Sequence, residues 1–231
     1  MDDSLFPRPR AEIAPGAVHV PDWLTPAAQA RTLAACREWA RPPAGLRTVR
    51  MPSGGEMSVR TVCLGWHWFP YGYARTVVDG DGAPVKPFPP WLGELARAAV
   101  ADAYGTEAHG TEAGGTGAGG TGSAAPPPYD IALVNFYGPD AKMGMHQDRD
   151  EESDAPVVSL SLGDTCVFRF GTASGRGRPW TDVELRSGDL FVFGGPARRA
   201  FHGVPRTLPG TAPPELGLSG RLNLTLRVSG L

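Results

Sequence analysis

Residues 135–150 read Asn-Phe-Tyr-Gly-Pro-Asp-Ala-Lys-Met-Gly-Met-His-Gln-Asp-Arg-Asp, and this run places an imidazole and a carboxylate two positions apart, at His146 and Asp148. The residues around them can form a strand. Side chains at positions i and i+2 of a strand point to the same face, with Cα atoms roughly 6.6 Å apart. The spacing therefore predicts that His146 and Asp148 can bind one metal ion together.

A third ligand is available at His202, which follows the Gly194-Gly195 turn in the run Phe-His-Gly-Val. Two imidazoles and one carboxylate form the facial ligand set of non-haem Fe(II) oxygenases. Each element is common by itself, because an Asp beside a lone His is usually a solvated surface residue. The metal hypothesis therefore depends on whether the three side chains meet in the fold.

Residues 221–228 alternate strictly between polar and apolar side chains, which predicts a strand with two different faces. The polar face carries Arg221, Asn223, Thr225 and Arg227, and the apolar face carries Leu222, Leu224, Leu226 and Val228. One interpretation is an edge strand with its polar residues toward water. The other is a receptor for a molecule with two carboxylates, because Arg forks bind carboxylates bidentately and the two forks stand roughly 20 Å apart by Cα.

The composition fits one domain, or one domain with a decorating lobe, since 231 residues with 41% apolar content can bury a core. The net charge of −2 excludes a polycation, so contact with nucleic acid would have to come from local basic patches. Three cysteines form no CxxC pair and are expected to be buried and reduced. The acidic N-terminus lacks a signal-peptide pattern and no run reaches ~18 apolar residues, so we expect a cytoplasmic protein without a membrane segment.

The chain divides into four segments by composition. Residues 1–15 are rich in proline and charge and are expected to form a loose N-terminal arm. Residues 16–104 are expected to form an extension with a first strand at 17–20, helices over 27–40 and 91–104, and an aromatic lobe between those helices. Residues 105–128 are rich in Gly, Thr, Ala and Pro and are expected to be a flexible insertion, and residues 129–231 form the core with the candidate ligands.

Short strands separated by turn signals dominate the second half of the chain. The predicted strands span residues 131–137, 142–146, 157–162, 165–170, 182–185, 190–193, 200–204 and 222–228. Eight short strands at this spacing are typical of a sandwich or jelly roll. We therefore predict an α+β, mainly β fold of one of these two kinds, with the N-terminal helices packed on one sheet.

The order and spacing of these motifs resemble the AlkB family of Fe(II)- and 2-oxoglutarate-dependent dioxygenases, and most of all its bacterial AlkB subgroup. The matching motifs are His146-x-Asp148-x-Asp150-Glu151, the later His202, Arg221-x-Asn223-Leu-Thr225-x-Arg227, Asn135-x-Tyr137, Phe168-x-Phe170-Gly171 and Gly188-Asp189. The resemblance covers residues 129–229 closely and the aromatic stretch 57–75 loosely. It implies a double-stranded β-helix, the cupin-like form of the jelly roll, and it implies that residues 129–231 form an iron/2-oxoglutarate catalytic core.

The resemblance also implies roles for individual residues. The Fe(II) ligands would be His146, Asp148 and His202. The residues that bind 2-oxoglutarate would be Asn135, Tyr137, Arg221, Asn223 and Arg227. Of these, Arg221 would pair with the distal carboxylate, while Arg227 would lie near the carboxylate beside the keto group, and O2 would be the second co-substrate.

The substrate-binding residues implied by the resemblance are Trp66, Tyr73, Asp150 and Arg176, with Arg178 as an alternative to Arg176. The implied reaction is oxidative demethylation of alkylated bases such as 1-methyladenine and 3-methylcytosine in DNA, with release of formaldehyde, succinate and CO2. The expected partner is alkylated nucleic acid, preferably single-stranded DNA, and a monomer is expected. Two alternatives stay open: the same chemistry on RNA, a protein or a small molecule, and a non-catalytic module that binds modified bases.

Overall fold

The computed structural model describes residues 7–105 and 128–231 of the chain. Two α-helices lie in the first range, α1 (Pro26–Trp39) and α2 (Pro90–Tyr104). The hydroxyl of Thr25 accepts a hydrogen bond from the backbone N–H of Ala28 and caps α1. Both helices begin at a proline, whose missing N–H would have no partner within the first turn. The two helices therefore lie where the sequence predicts them, to within a residue at each end.

The described residues contain fourteen strands. In chain order they are β1 (Ala11–Ala14), β2 (Ala17–Val20), β3 (Arg47–Arg50), β4 (Glu56–Leu64), β5 (His67–Phe69), β6 (Gly72–Ala74), β7 (Ile131–Tyr137), β8 (Met143–His146), β9 (Val157–Gly163), β10 (Thr165–Phe170), β11 (Thr181–Leu185), β12 (Leu190–Phe193), β13 (His202–Leu208) and β14 (Arg221–Arg227). All eight strands predicted in the second half are present, with shifted ends at some of them. Strand β2 is also present, but β1 and β3 to β6 were not predicted.

Two antiparallel sheets carry most of these strands. The large sheet has the order β1-β2-β12-β9-β14-β7-β4-β3, and the small sheet has the order β11-β10-β13-β8. A separate hairpin pairs β5 with β6. This architecture confirms the mainly β prediction, and two antiparallel sheets that pack face to face form a jelly roll.

The two faces of the large sheet pack against different layers. On one face, Leu224 of β14 is buried in a cluster with Leu92 and Ala96 of α2, so the helices cover this side as predicted. On the other face, Phe191 of β12 is buried with Phe168 of the small sheet. The strict alternation of β14 therefore sends its leucines toward the helices and its polar side chains between the two sheets.

The N-terminal segment differs from the expectation of a loose arm over residues 1–15. Strand β1 pairs with β2 at the edge of the large sheet. Before it, the guanidinium of Arg8 donates to both carboxylate oxygens of the buried Asp189, at 2.8 and 2.7 Å. The expectation is wrong from residue 8 onward, because the charge of Arg8 compensates a carboxylate that is buried in the interior.

The N-terminal extension is also continuous with the core, since β2 pairs with β12 and β4 pairs with β7 in one sheet. The division at residue 129 thus remains an interpretation of the sequence. The insertion predicted over residues 105–128 lies almost entirely outside the described residues. Within the described part of the chain, both helices fall short of the length and apolar character that a bilayer-crossing helix needs.

Candidate metal and co-substrate site

Strand register brings the two histidines of the predicted triad together. His146 at the end of β8 lies directly opposite His202 at the start of β13. Their ring centroids are 4.5 Å apart. Asp148 follows two residues after His146. Its Oδ1 lies 3.6 Å from Nε2 of His146, and its Oδ2 lies 3.7 Å from Nε2 of His202. One ligand atom from each residue lies within 4.8 Å of the others, so the three side chains could hold one metal ion.

Hydrogen bonds on the far side of each imidazole prepare its Nε2 for a metal. Nδ1 of His146 lies 2.9 Å from the carbonyl oxygen of Gly144, and Nδ1 of His202 lies 3.0 Å from that of Ala200. A carbonyl can only accept, so Nδ1 carries the proton and the lone pair of Nε2 points toward the shared centre. The backbone thereby fixes both rings in the tautomer that binds a metal.

The protonation states of the buried ligands suit a cation. Burial lowers the pKa of His202 to about 4, so this imidazole is neutral near pH 7. Burial by itself would raise the pKa of Asp148, but Arg227, the two histidines and Arg198 together outweigh it and the pKa falls to about 2. Oδ2 of Asp148 is buried without a hydrogen-bond partner among the described residues. A neutral imidazole and a carboxylate oxygen without a hydrogen-bond partner are both ligands that Fe(II) binds.

The triad lines a cavity of about 680 Å³ between the two sheets. Arg221 of β14 lines the same cavity, and it is 1% exposed. Its Nη2 donates to Ser161 at 3.2 Å, whereas Nε and Nη1 have no partner among the described residues. An unpaired buried guanidinium is costly unless an anion completes it. The residues present therefore fit a carboxylate ligand such as 2-oxoglutarate beside the metal.

The other predicted co-substrate residues also line this cavity, and hydrogen bonds hold them in place. The ring of Tyr137 lies 4.8 Å from the Arg221 guanidinium, and burial raises the pKa of Tyr137 to about 12. The side-chain oxygen of Asn135 accepts from Thr61 at 2.8 Å. The amide of Asn223 donates to the Ser159 hydroxyl at 2.7 Å. All five predicted residues thus surround one space, and Arg221 is the member with two free donors.

Arg227 connects the cavity wall to the triad. Its Nη2 lies 2.7 Å from Oδ1 of Asp148, and its Nη1 donates to Oε1 of Glu151 at 2.7 Å. Its Nε is buried without a partner among the described residues. Arg227 therefore lies next to the metal ligands, where the resemblance places the chelating end of the co-substrate.

Two of the four predicted substrate residues reach the cavity. Asp150 lines it, with Oδ2 accepting a hydrogen bond from Nε1 of Trp68 at 2.9 Å. Arg176 also lines it, and its guanidinium lies 5.8 Å from the ring centroid of Phe201. Arg178 is not among the lining residues and lies over the ring of Trp180 instead. The geometry favours Arg176 over Arg178.

Trp66 and Tyr73 lie away from the cavity lining. Trp66 follows Gly65, whose φ of +78° turns the chain out of β4, and its indole N–H donates to Asp130 at 3.0 Å. The Arg75 guanidinium lies 3.3 Å from its ring centroid. The hydroxyl of Tyr73 is buried behind the triad and donates to Glu151. Their predicted contacts with substrate do not match these positions.

Sequence reasoning missed three residues of the site. Trp68 lies in the aromatic stretch 57–75 and lines the cavity. Arg198 and Glu151 form a buried ion pair behind Asp148, with Arg198 only 3% exposed. The acidic run that contains Glu151 was visible in the sequence, but only the fold brings an Arg from near His202 to meet it.

Comparisons with known proteins agree with this geometry. Residues 16–227 match the family model described as the 2OG-Fe(II) oxygenase superfamily. The solved structure titled "The structure of OsALKBH1" superposes with a TM-score of 0.78 at 34% identity, over 95% of this chain and 99% of that one. The Alpha-ketoglutarate-dependent dioxygenase AlkB of Escherichia coli is 34% identical over 190 residues, 80% of this chain and 77% of its own.

A second relative matches more of this chain but extends well beyond it. The DNA N(6)-methyladenine demethylase ALKBH1D of Arabidopsis thaliana is 34% identical over 93% of this chain and 50% of its own length. The chain thus spans about half the length of several curated relatives that it matches. The chain therefore belongs to the 2OG-Fe(II) oxygenase superfamily and, within it, to the AlkB-type dioxygenases. This conclusion rests on the family match, on the E. coli relative and on the three side chains that meet as a candidate metal site.

Proposed function

We propose that this protein is an Fe(II)- and 2-oxoglutarate-dependent dioxygenase that demethylates alkylated bases in nucleic acid. The observation that carries the proposal is the juxtaposition of the His146–Asp148–His202 triad with the unpaired guanidinium of Arg221 in one cavity. A metal alone would not require a buried cation with two free donors. A chelating co-substrate with a second, distal carboxylate requires both features.

Each group of the chain has a distinct task in this reaction. The backbone carbonyls of Gly144 and Ala200 hold the imidazoles with Nε2 toward the metal. Arg221 binds the distal carboxylate of 2-oxoglutarate. Arg227 neutralises charge beside the metal ligand Asp148, at the end where 2-oxoglutarate would chelate. Arg221 and Arg227 are buried, and the low dielectric around them strengthens their electrostatic interactions.

Fe(II) held by His146, Asp148 and His202 would supply the oxidising chemistry. With 2-oxoglutarate as co-substrate, one oxygen atom of O2 would enter succinate, with loss of CO2, and the other would enter the N-methyl group of the base. The resulting N-hydroxymethyl group releases formaldehyde, and the ring nitrogen recovers its ordinary form. The protein binds, orients and shields the reactants while the cofactor supplies this oxidising chemistry.

The part of the cavity wall formed by Trp68 and Asp150 suits a flat cationic base. Trp68 and Asp150 both line it, and their hydrogen bond fixes the indole and carboxylate relative to each other. An indole that stacks on a cation contributes about 0.5–2 kcal/mol, and the carboxylate adds a negative partner. 1-Methyladenine and 3-methylcytosine are cationic. A base with its pairing edge in the cavity must leave the duplex or begin single-stranded, so we propose single-stranded DNA as the preferred substrate.

RNA is the alternative substrate. Two further relatives carry the names tRNA demethylase abh1, from Schizosaccharomyces pombe, and N6-methyladenosine RNA demethylase ALKBH, from Cryphonectria parasitica. The first is 39% identical to this chain over 85 residues, and the second is 41% identical over 96 residues. Turnover of matched single-stranded DNA and RNA oligonucleotides that carry the same methylated base discriminates the two. A higher kcat/KM on RNA would overturn the preference for DNA.

Formaldehyde release is the primary test. The purified protein with Fe(II), 2-oxoglutarate and a single-stranded 1-methyladenine oligonucleotide is expected to release formaldehyde and succinate in equal amounts. His146→Ala is expected to abolish both products, while Glu152→Gln, at an exposed position, is expected to retain them. Tight binding to the methylated strand without either product would support the non-catalytic module instead.

We further propose that the protein acts as a monomer in a reducing compartment such as the cytoplasm. The large exposed apolar side chains within the described residues are scattered, at Tyr71, Val78, Trp91 and Leu231. The three cysteines are buried and unpaired, which suits a reducing environment. Light scattering after gel filtration tests the monomer, and a dimeric mass at micromolar concentration would contradict it.

A further inference from the structure

A buried chain of four alternating charges ends at one of the candidate metal ligands. Its members, in order of contact, are Arg198, Glu151, Arg227 and Asp148. Each side chain of the four is at most 8% exposed. Two of them are accounted for by the proposed function, since Asp148 is a candidate metal ligand and Arg227 lies beside the co-substrate. Arg198 and Glu151 touch neither the metal position nor the cavity, and nothing so far explains why two charges are buried there.

Arg198 joins the two segments that carry the metal ligands. It lies four residues before His202, at the end of the 3-10 turn Gly195–Ala197. Its Nη1 donates to the backbone carbonyl of Asp148 at 2.6 Å, and its Nη2 to Oε2 of Glu151 at 3.0 Å. Its Nε donates to the carbonyl of Ala155 at 2.9 Å. A single guanidinium thus fixes the backbone of one ligand relative to the segment that leads into another.

Glu151 binds one terminal nitrogen of Arg227, and Asp148 lies against the other. Oε1 of Glu151 accepts from Nη1 of Arg227 at 2.7 Å and from the hydroxyl of Tyr73. Burial by itself would raise the pKa of Glu151, but the Arg227 guanidinium and the Tyr73 hydroxyl together outweigh it and the pKa is lowered, so the carboxylate is ionised. Arg227 is therefore shared between two carboxylates, of which one is a candidate metal ligand and the other is not.

This sharing has a consequence for the metal site. A guanidinium with Asp148 as its only partner would compete with a metal ion for the Oδ1 atom that it approaches to 2.7 Å. A second carboxylate keeps the guanidinium in place when Asp148 turns toward the metal. Arg198 in turn compensates the charge of Glu151, which would otherwise be an unpaired anion in the interior.

We propose that Arg198 and Glu151 are positioning residues for the metal and co-substrate site. Arg198 fixes the backbone of Asp148 and orients Glu151, and Glu151 retains Arg227 at the cavity wall so that it does not close onto Asp148. The inference rests on the proposed function, because it assigns both residues to that same site. Residues that hold metal ligands in place typically change metal affinity or activity about 10- to 100-fold when they are mutated.

The test measures Co(II) binding without nucleic acid, and then steady-state kinetics for 2-oxoglutarate with a methylated oligonucleotide. Glu151→Gln keeps the size and one acceptor of the side chain but removes its charge. We expect it to weaken Co(II) binding in titration calorimetry by about 10- to 100-fold. We also expect a larger rise in KM for 2-oxoglutarate than loss of kcat, because saturating co-substrate restores the position of Arg227. Glu152→Gln removes the same charge one residue away at an exposed position and is the matched control.

Arg198 is tested by a pair of variants, since Arg198→Met leaves Glu151 without its partner and could unfold the chain. Arg198→Lys keeps the charge, and we expect it to recover at least part of the Co(II) affinity lost in a folded Arg198→Met protein. If Arg198→Met does not fold, the Glu151→Gln result decides alone. A folded Glu151→Gln protein with Co(II) affinity and KM for 2-oxoglutarate within twofold of the parent would overturn the proposal. Failure of the proposed function is a separate result, because it appears as normal binding of both ligands without formaldehyde release.

Discussion

Substitution of Arg221 by Met should affect ligand binding and fold stability in opposite directions. The guanidinium is 1% exposed, with Nε and Nη1 unpaired within the described residues. Arg221→Met removes a buried charge and leaves an apolar side chain of similar length. The co-substrate should then bind more weakly, while the ligand-free fold should be as stable as before or more stable.

The magnitudes follow from the two free donors. A hydrogen bond to a charged group contributes about 1.5–3 kcal/mol, so two of them to a carboxylate contribute about 3–6 kcal/mol. Each 1.4 kcal/mol is tenfold in affinity, so the Kd for 2-oxoglutarate should rise by about 10² to 10⁴. Removal of an unsatisfied buried group should raise the free energy of unfolding by up to about 1–3 kcal/mol.

Thermal unfolding with and without ligand measures both effects. On the Co(II)-loaded parent, 2-oxoglutarate at 100 times its Kd should add about 2.7 kcal/mol of stability. That corresponds to a rise in Tm of roughly 5–11 °C, at about 2–4 °C per kcal/mol for a chain of this size. Arg221→Met should lose this ligand-dependent shift and keep or raise the ligand-free Tm. The exposed Arg50→Met is the control and should change neither.

Retention of the full ligand-induced shift by Arg221→Met would refute this reasoning, since the co-substrate would then be bound elsewhere. A large fall in the ligand-free Tm would refute the prediction for fold stability, since it would mean that the buried guanidinium stabilises the fold by itself.

Three further predictions concern the aromatic wall, the metal ligand and the N-terminal segment. Trp68→Ala should raise KM for a methylated oligonucleotide about 2- to 30-fold, from the cation–π contribution, and leave KM for 2-oxoglutarate unchanged. Trp66→Ala should have the smaller effect, and the reverse order in steady-state kinetics would return the substrate role to Trp66. Asp148→Asn should abolish Co(II) binding in calorimetry while circular dichroism stays native, because an amide cannot replace the charge of the carboxylate; unchanged affinity would exclude Asp148 as a ligand. Burial by itself would raise the pKa of Asp189, but His19 and Arg8 outweigh it and lower the pKa from 3.8 to about 2. Ionised Asp189 therefore adds about 2 kcal/mol to the free energy of unfolding above about pH 4, and this stabilisation is lost as the pH falls toward about 2. Acid unfolding of Asp189→Asn should lack that part of the pH dependence, and curves parallel to those of the parent would contradict the assignment.

The sequence by itself determined the ligands and the central strands. The His-x-Asp spacing and the alternation of residues 221–228 are local patterns, and a strand converts period two directly into two faces. The three candidate metal ligands and the five candidate co-substrate residues therefore lie around one cavity, as predicted. The helices were equally predictable, because each begins at a proline signal.

Only the tertiary structure decided which aromatic residue reaches the cavity and which charges support the ligands. Trp66 and Trp68 are two residues apart and chemically identical, but the turn at Gly65 directs one indole toward Asp130, while the other lines the cavity. Arg198 resembles any surface arginine in the sequence, yet it is buried against Glu151. Contacts between residues distant in the chain depend on how the sheets close on each other, and no local period encodes that closure.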